Sequence, residues 1–266
     1  MDYKSFIADN LQKTSELCRQ QFGKVSSTVK VGDNNQVLTE TDIAVGKLLV
    51  AAIQKQFPQH SIIDEEAGVI DNTSDYIWIV DPIDGTSNFA NGIPTYGTFL
   101  GLLHNYQPIA GGIALPNFND IIIAEQGKGA WRNDQRIYIS AEKDLKNVLV
   151  AYGIDGRVDK PEHTQREMLT IGEIANHSRN IRTSNSAFDA VLMTDGRYGA
   201  SLNQNSKIWD NAAQQIVIEE AGGIYTDFFG QPIDYSDGLQ NPEKNFTWCA
   251  ASPTLHKQLQ QITHHK

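Results

Sequence analysis

The stretch Trp78-Ile-Val-Asp-Pro-Ile-Asp-Gly-Thr-Ser-Asn-Phe89 decides how this chain is expected to fold. The run 76–80 has no polar alternation, which is typical of a strand buried on both faces. Pro82 has a fixed φ and no backbone N–H, so we expect the strand to end there. Asp81 and Asp84 would then lie at a strand end, before a glycine turn with free N–H groups. Such a pattern suits Mg²⁺ and a phosphate, but an acid beside proline and glycine is also typical of a simple turn.

Upstream, apolar residues at helical spacing predict an amphipathic helix that ends near Gly23. A polar turn is expected at Gly32-Asp-Asn-Asn35, and a second helix at Thr39-Glu-Thr-Asp42, with Thr41 or Asp42 as its N-cap. The predicted apolar face of this second helix is Ile43, Val45, Leu48, Leu49, Ala52 and Ile53.

Downstream, a strand-rich middle changes near residues 140–147 into alternating strands and helices. The predicted strands are 61–63, 96–103, 109–114, 121–125, 148–152, 198–202 and 224–226. The predicted helices are 162–177, 187–195 and 210–221. We therefore expect an α/β chain with an N-terminal part, 1–143, and a C-terminal part, 144–266, forming one compact unit with the active site between them. The tail His264-His265-Lys266 is expected to fray.

Composition excludes several classes of protein. With 266 residues, 40% hydrophobic and 20% charged, the chain can bury a full core, so disorder is not expected. The formal net charge of −10 and the lack of a Lys/Arg run disfavour binding to nucleic acid or to an anionic membrane. Cys18 and Cys249 lack metal-ligand spacing, and no apolar stretch approaches the roughly 20 residues of a bilayer span. A soluble cytoplasmic protein is the expectation.

Acidic residues recur where a predicted strand ends or a helix begins. They are Asp42, the cluster Asp64-Glu65-Glu66, the pair Asp81 and Asp84, and Asp210. Each of them alone also suits a helix cap or a solvated turn, because helix N-termini favour carboxylates. Their shared context, however, is that of a hard-cation site.

Two long motifs carry a resemblance to a known family. Residues 78–89 resemble the first signature of the inositol monophosphatase family, and Trp209-Asp-Asn-Ala-Ala213 with Glu220-Ala-Gly-Gly223 resembles the second. Val37-Leu-Thr-Glu-Thr-Asp42, Asp64-Glu-Glu66 and Gly127-Lys-Gly-Ala-Trp-Arg-Asn133 follow the order and spacing of the family. The resemblance covers essentially the whole chain. It implies a layered αβαβα sandwich, related to fructose-1,6-bisphosphatase and usually homodimeric.

The resemblance also implies the site residues of a lithium-sensitive phosphatase. By position, the ligands of two to three Mg²⁺ ions would be Glu65, Asp81, the carbonyl of Ile83, Asp84 and Asp210. Glu65 would also orient a water on the metal, and Thr86, hydrogen-bonded to Asp42, would align the attacking water. The backbone N–H groups of Gly85 and Thr86 would hold the phosphate.

Elementary electrostatics agrees with these roles. Like charges about 4 Å apart cost on the order of 4 kcal/mol per pair at an effective dielectric near 20, so clustered carboxylates would repel a phosphate ester. Two divalent ions would cancel that charge and generate a nucleophile near neutral pH. A small phosphate ester is therefore the expected partner.

The identity of the ester stays open at this point. Inositol-selective members carry an acid seven residues before the second-signature Asp, where this chain has Asn203. The usual Gly-Ser/Thr-Ala segment is replaced by Asn185-Ser186-Ala187, and Arg182 and Lys207 could meet a second phosphate or lie at the surface. The family alternatives are histidinol phosphate, fructose 1,6-bisphosphate, adenosine bisphosphates and NADP.

Two other readings compete with a metal-dependent phosphatase. A phosphatase of the haloacid-dehalogenase type needs an Asp-x-Asp pair, whereas Asp81 and Asp84 are three positions apart. A regulatory binding protein on the same fold is the non-enzyme alternative, since some relatives bind the transcription machinery. The complete acid set argues against lost catalysis.

Overall fold

The helices and strands follow the apolar pattern of the chain. The computed structural model describes residues 2–24, 27–29, 37–158 and 160–263. The α-helices are α1 (Tyr3–Gln21), α2 (Glu40–Gln56), α3 (Thr86–Ala90), α4 (Pro161–His177), α5 (Ser186–Thr194), α6 (Ile208–Glu220) and α7 (Pro253–Thr263). The strands are β1 (Ser27–Val29), β2 (Val37–Thr39), β3 (Ser61–Asp64), β4 (Gly68–Ile70), β5 (Tyr76–Asp84), β6 (Gly97–His104), β7 (Gln107–Leu115), β8 (Asp120–Glu125), β9 (Gly129–Arg132), β10 (Gln135–Arg136), β11 (Leu149–Gly153), β12 (Asn180–Arg182), β13 (Ala200–Ser206), β14 (Ile224–Thr226) and β15 (Phe246–Ala251).

Helical layers alternate with two main sheets. The larger sheet has eight strands in the order β10-β9-β8-β7-β6-β5-β3-β4, and the smaller has five in the order β12-β11-β13-β15-β14. Helices α1 and α2 pack on the outer face of the larger sheet, α5 and α6 lie between the sheets, and α4 and α7 pack on the smaller sheet. The layered αβαβα sandwich is therefore confirmed. The division at residues 143 and 144 stays a prediction.

Strand β5 is buried on both of its faces, as its sequence predicts. Ile77 and Ile79 point into the core shared with α6, whereas Trp78 and Val80 point into the core under α1 and α2. Successive side chains on a strand face opposite ways, so an uninterrupted apolar run can fill two cores at once. Burial of each such side chain contributes about 1.5–3 kcal/mol.

The prediction that β5 ends at Pro82 was wrong, because the strand continues to Asp84. Asp81 pairs with Phe99 and Asp84 pairs with Gly97, so β5 has one more residue than β6 over this interval. Such a β-bulge leaves a residue outside the ladder, which accommodates a proline without an N–H. The bulge also turns the two carboxylates of this segment toward one cavity, described below.

The N-terminus of α2 also differs from its prediction. Thr39 is the N-cap, not Thr41 or Asp42: its Oγ1 accepts from the backbone N–H groups of Thr41 (3.2 Å) and Asp42 (3.4 Å). Asp42 lies at the third helical position, where its Oδ2 accepts from the backbone N–H of Thr39 at 2.9 Å. The helix starts earlier because β2 ends at the cap. Ile43 lies outside the buried face formed by Val45, Leu49 and Ile53 and is 39% exposed, contrary to its predicted place on the apolar face.

Other differences concern the second half of the chain. The strand predicted at 198–202 lies at Ala200–Ser206, because residues 196–198 still form the turn after α5, with the Tyr198 N–H donating to the Leu192 carbonyl. Strand β15 and helix α7 were not predicted. The predictions for Gly32-Asp-Asn-Asn35 and for His264-His265-Lys266 lie outside the described residues.

A glycine in β7 sets the distance between α6 and the larger sheet. A Cβ at Gly111 would lie 2.9 Å from Cα of Ala213 and 2.8 Å from Cγ2 of Ile216. Gly111→Ala is therefore expected to lower the free energy of unfolding by about 1–3 kcal/mol, since backbone must move. Urea denaturation checks this. The matched control is Gly172→Ala in α4, where a Cβ meets nothing within 4 Å and where alanine should stabilise by roughly 1 kcal/mol. Equal effects of the two substitutions would contradict the prediction.

Candidate active site

Three carboxylates from distant parts of the chain meet at one point. Asp81 and Asp84 come from the bulged end of β5, and Asp210 comes from the first turn of α6. One oxygen from each carboxylate lies within 4.8 Å of the others. Lys207 N–H donates to Oδ2 of Asp210 at 2.5 Å, which fixes that side chain at the start of its helix. The arrangement offers an oxygen-only donor set, the kind that Mg²⁺ prefers.

Burial and mutual repulsion destabilise the charged forms of these three acids. Burial, followed by the charges of Glu65 and Asp84, raises the pKa of Asp81 well above its usual value. Burial also raises the pKa of Asp84 to about 7, although the Ala187 N–H, which donates to its Oδ2 at 2.6 Å, opposes the shift. For Asp210, burial and then the charge of Asp84 raise the pKa to about 7. Oδ1 of Asp81 has no hydrogen-bond partner within the described ranges. A divalent cation would relieve each of these costs, so the residues fit Mg²⁺.

In the neighbouring segment 64–66, Asp64 and Glu65 have different roles. Oδ1 of Asp64 accepts from the N–H groups of Glu66 (2.9 Å) and Ala67 (2.6 Å), so this acid forms the turn after β3. The turn directs Glu65, whose N–H donates to the Val80 carbonyl at 3.1 Å, into the cavity wall. Glu65 thus lines the cavity beside the three carboxylates.

Thr86 connects the cavity to helix α2. Its Oγ1 lies 2.9 Å from Oδ1 of Asp42 and 2.9 Å from the carbonyl oxygen of Ile83. A hydroxyl has one proton, and a carboxylate oxygen accepts it more strongly than a carbonyl does. Burial raises the pKa of Asp42, and its hydrogen bonds with Thr39 and Thr86 oppose that shift. The Asp42 contact therefore leaves the carbonyl of Ile83, which lines the cavity, available to a cation.

Gly85 is required by the close approach of Asn185. Its φ is +85°, and a Cβ there would lie 2.5 Å from Nδ2 of Asn185. A side-chain hydrogen bond from Asn185 lowers the pKa of Asp84, opposing the effect of burial. Oδ1 of Asn185 has no hydrogen-bond partner in the part of the chain that the structure describes. This amide, which lines the cavity, thus supports the carboxylate of Asp84.

Of the remaining predicted substrate residues, some line the cavity and others do not. Ser186 and Asn203 line the cavity of about 290 Å³, and a Cβ at Gly153 would lie 2.5 Å from the Asn203 amide. Ala187 is buried behind the wall and contributes its N–H to Asp84. Arg182 is not among the lining residues: it lies on the edge strand β12 and its guanidinium donates to the Ile181 carbonyl.

Sequence reasoning missed Asp155 and Asn205, which also line the cavity. Nδ2 of Asn205 lies 3.4 Å from Oδ2 of Asp155. Strands β11 and β13 are parallel neighbours, and the carboxyl ends of such strands meet at one edge of the sheet. The position of Asp155 just after a predicted strand was the signal that could have found it.

The sequence pattern of the inositol monophosphatase family matches residues 3–264. The chain belongs to this family. It is 30% identical over 251 residues to the "Fructose-1,6-bisphosphatase/inositol-1-monophosphatase" of Thermotoga maritima, covering 91% of this chain and 94% of that protein. It is also 30% identical over 199 residues to the "Nus factor SuhB" of Escherichia coli, covering 74% of each. The solved structure of a Thermotoga maritima IMPase superposes with a TM-score of 0.85 at 28% identity, covering 99% of this chain and 97% of that one.

Family membership supports a phosphatase, in agreement with the acidic cavity. The carboxylate cluster could hold a metal ion, and the family generally uses Mg²⁺. No helix within the described ranges combines the length and apolar character of a bilayer span.

The raised pKa values predict how pH affects the metal-free protein. Because the folded-state pKa values of Asp84 and Asp210 are raised to about 7, the folded chain binds more protons than the unfolded chain between roughly pH 4 and 7. Their contribution to stability is complete below the unfolded-state pKa and is lost as pH rises through about 7. We therefore expect Tm in a chelator to fall from pH 6 to pH 8, and Mg²⁺ to restore it at pH 8. A metal-free Tm that rises over this interval would contradict the prediction.

Proposed function

We propose that this family member is a Mg²⁺-dependent phosphatase that hydrolyses a small phosphate monoester with an activated water. The observation that carries the proposal is the meeting of Asp81, Asp84 and Asp210 within 4.8 Å, together with the raised pKa values of these three acids. Three buried carboxylates so close together are costly without a cation. The cation that relieves this cost would also be the catalytic ion.

The metal would be held by the carboxylates of Glu65, Asp81, Asp84 and Asp210 with the carbonyl of Ile83. When bound, Mg²⁺ would neutralise the acids, polarise the phosphoryl oxygens and lower the pKa of water. The protein's own part is to place groups, as is general in phosphoryl transfer.

The water-aligning group would be Thr86. Its single proton is held by Asp42, so a lone pair of Oγ1 remains to accept a hydrogen bond from the attacking water. Asp42 is itself fixed by the capping box of α2. The N–H groups of Gly85 and Thr86, at the beginning of α3, would donate hydrogen bonds to the phosphate oxygens.

The alcohol part of the ester would meet amides. Asn185 and Asn203 both line the cavity, and Oδ1 of Asn203 accepts from the Asn205 N–H at 2.7 Å. Amide groups can bind hydroxyls but add no charge. This supports an alcohol moiety with hydroxyl groups, and the candidate esters are inositol 1-phosphate, fructose 1,6-bisphosphate, histidinol phosphate, adenosine bisphosphates and NADP.

A phosphate-release panel tests the proposal. Inositol 1-phosphate, fructose 1,6-bisphosphate, histidinol phosphate, adenosine 3′,5′-bisphosphate and NADP are assayed side by side with Mg²⁺, with a chelator, and with Mg²⁺ plus Li⁺. We expect release that requires Mg²⁺ and is inhibited by Li⁺. No release from any ester with Mg²⁺ present would refute the enzymatic function. Light scattering of the same sample tests the homodimer expected from the family.

A regulatory binding role is the second candidate, and it is favoured by the relatives named "Nus factor SuhB". Such a role would use the surface of the fold and would not need the carboxylates. An affinity capture with Asp84→Asn separates the two functions. Capture of a specific partner by this variant, which no longer hydrolyses the ester, would support a binding role. Failure to capture any specific partner would contradict it.

A further inference from the structure

A second cavity, of about 350 Å³, lies on the opposite side of the smaller sheet. Its wall includes Gln204 of β13, whereas Asn203 and Asn205 on either side line the first cavity. Neighbouring side chains of a strand face opposite ways, so β13 separates the two cavities. Helix α4 and the turn after β14 complete the second one.

The wall of this cavity combines two guanidinium groups with a buried acid. Arg157 and Arg166 line it, and Arg157 is held by its Nη2, which donates to Oδ1 of Asn205 at 2.7 Å. Glu167 is only 6% exposed, and its Oε1 has no hydrogen-bond partner. Within the described ranges, no ion pair includes Glu167. Burial raises the pKa of this carboxyl although the charge of Arg157 opposes the shift, and a cationic group of a ligand would relieve the remaining cost.

The wall also includes apolar side chains, two of which are largely exposed. Phe228 is buried, but Phe229 is 52% exposed and Leu169 is 63% exposed. The wall therefore has three chemistries side by side: positive charge, an unpartnered buried acceptor, and an apolar surface.

We propose that this second cavity binds a free α-amino acid with an apolar side chain. The ligand's carboxylate would pair with Arg166 and Arg157, its ammonium group would pair with the carboxylate of Glu167, and its side chain would lie against Phe229 and Leu169. Guanidinium groups bind carboxylates with two parallel hydrogen bonds. A phosphate or a plain carboxylate would satisfy the arginines but would leave Glu167 facing an anion. A zwitterion satisfies both.

Isothermal titration with L-phenylalanine, in metal-free buffer, tests this site without involving hydrolysis. Two analogues each lack one pole: 2-phenylethylamine has no carboxylate and 3-phenylpropionate has no ammonium group. We expect saturable binding of one L-phenylalanine per chain, and at least about tenfold weaker binding of either analogue.

Matched variants locate the binding. Arg166→Ala and Glu167→Gln should each weaken L-phenylalanine at least about tenfold. Lys160→Ala, which removes an exposed cation just before α4, should not change the affinity. Circular dichroism confirms that each variant is folded. The proposal is overturned by no saturable heat up to about 10 mM ligand, by analogues that bind as well as the amino acid, or by unchanged binding in both cavity variants.

Discussion

Asp84→Asn is expected to lower kcat/KM for phosphate release by about 10³-fold or more while the protein stays folded. The substitution removes one of the three carboxylates that meet within 4.8 Å, and an amide is a poorer ligand for Mg²⁺. A loss of 10³ corresponds to about 4 kcal/mol of transition-state stabilisation, a magnitude that a lost cation contact can supply. The fold should survive, because an amide oxygen at position 84 can still accept from the Ala187 N–H.

The metal-free stability of the same variant gives an independent measurement. Asp84 contributes to the repulsion that raises the pKa values of Asp81 and Asp210. Its replacement should therefore raise Tm in a chelator at pH 8 and reduce the gain in Tm from Mg²⁺. The control is Asp75→Asn, an exposed acid just before the same strand, which should change neither quantity. Near-normal activity of Asp84→Asn would refute the ligand assignment.

Thr86→Ala is expected to reduce kcat by about 10²-fold and to change KM by less than about threefold. The hydroxyl carries no charge, and its proposed task is to align the attacking water and not to bind the ester. Thr86→Ser should recover most of the activity, because it keeps the oxygen that lies 2.9 Å from Oδ1 of Asp42. Steady-state kinetics with the best ester of the panel measures both parameters.

A double-mutant cycle tests whether Thr86 works through Asp42. Asp42→Asn should lower kcat by itself, since it weakens the contact that fixes the hydroxyl. In the background of Thr86→Ala, Asp42→Asn should then have little further effect. Fully additive losses, or a defect of Thr86→Ala confined to KM, would contradict the water-aligning role.

How far the sequence predicts the fold depends on the range of the interactions involved. The run before Asp81 predicts a doubly buried strand because side-chain alternation is a local property, and the structure confirms it. The end of that strand at Pro82 was mispredicted, because whether a proline is tolerated depends on the neighbouring strand, which here forms a bulge. The N-cap of α2 was misplaced for a similar reason, since β2 ends at Thr39 and sets where the helix begins.

The candidate site likewise combines features that the sequence shows with contacts that only the packed structure shows. Acids at strand ends and helix starts are visible in the sequence, and the family motifs indicate which of them belong together. The sequence does not show that the Ala187 N–H supports Asp84 from 103 positions away, or that the amide of Asn185 lies across Gly85. Such contacts arise when α5 packs between the two sheets.

The sequence alone thus determined the identity of the elements and the chemistry available at their ends, because apolar periodicity, caps and motifs act over a few residues. The tertiary structure decided which ends meet. It set the pKa values of the clustered acids, and it placed Arg182 outside the cavity and Glu167 in a second one. Burial and proximity determine the free energy of a charge, and both are properties of the packed layers and not of neighbours along the chain.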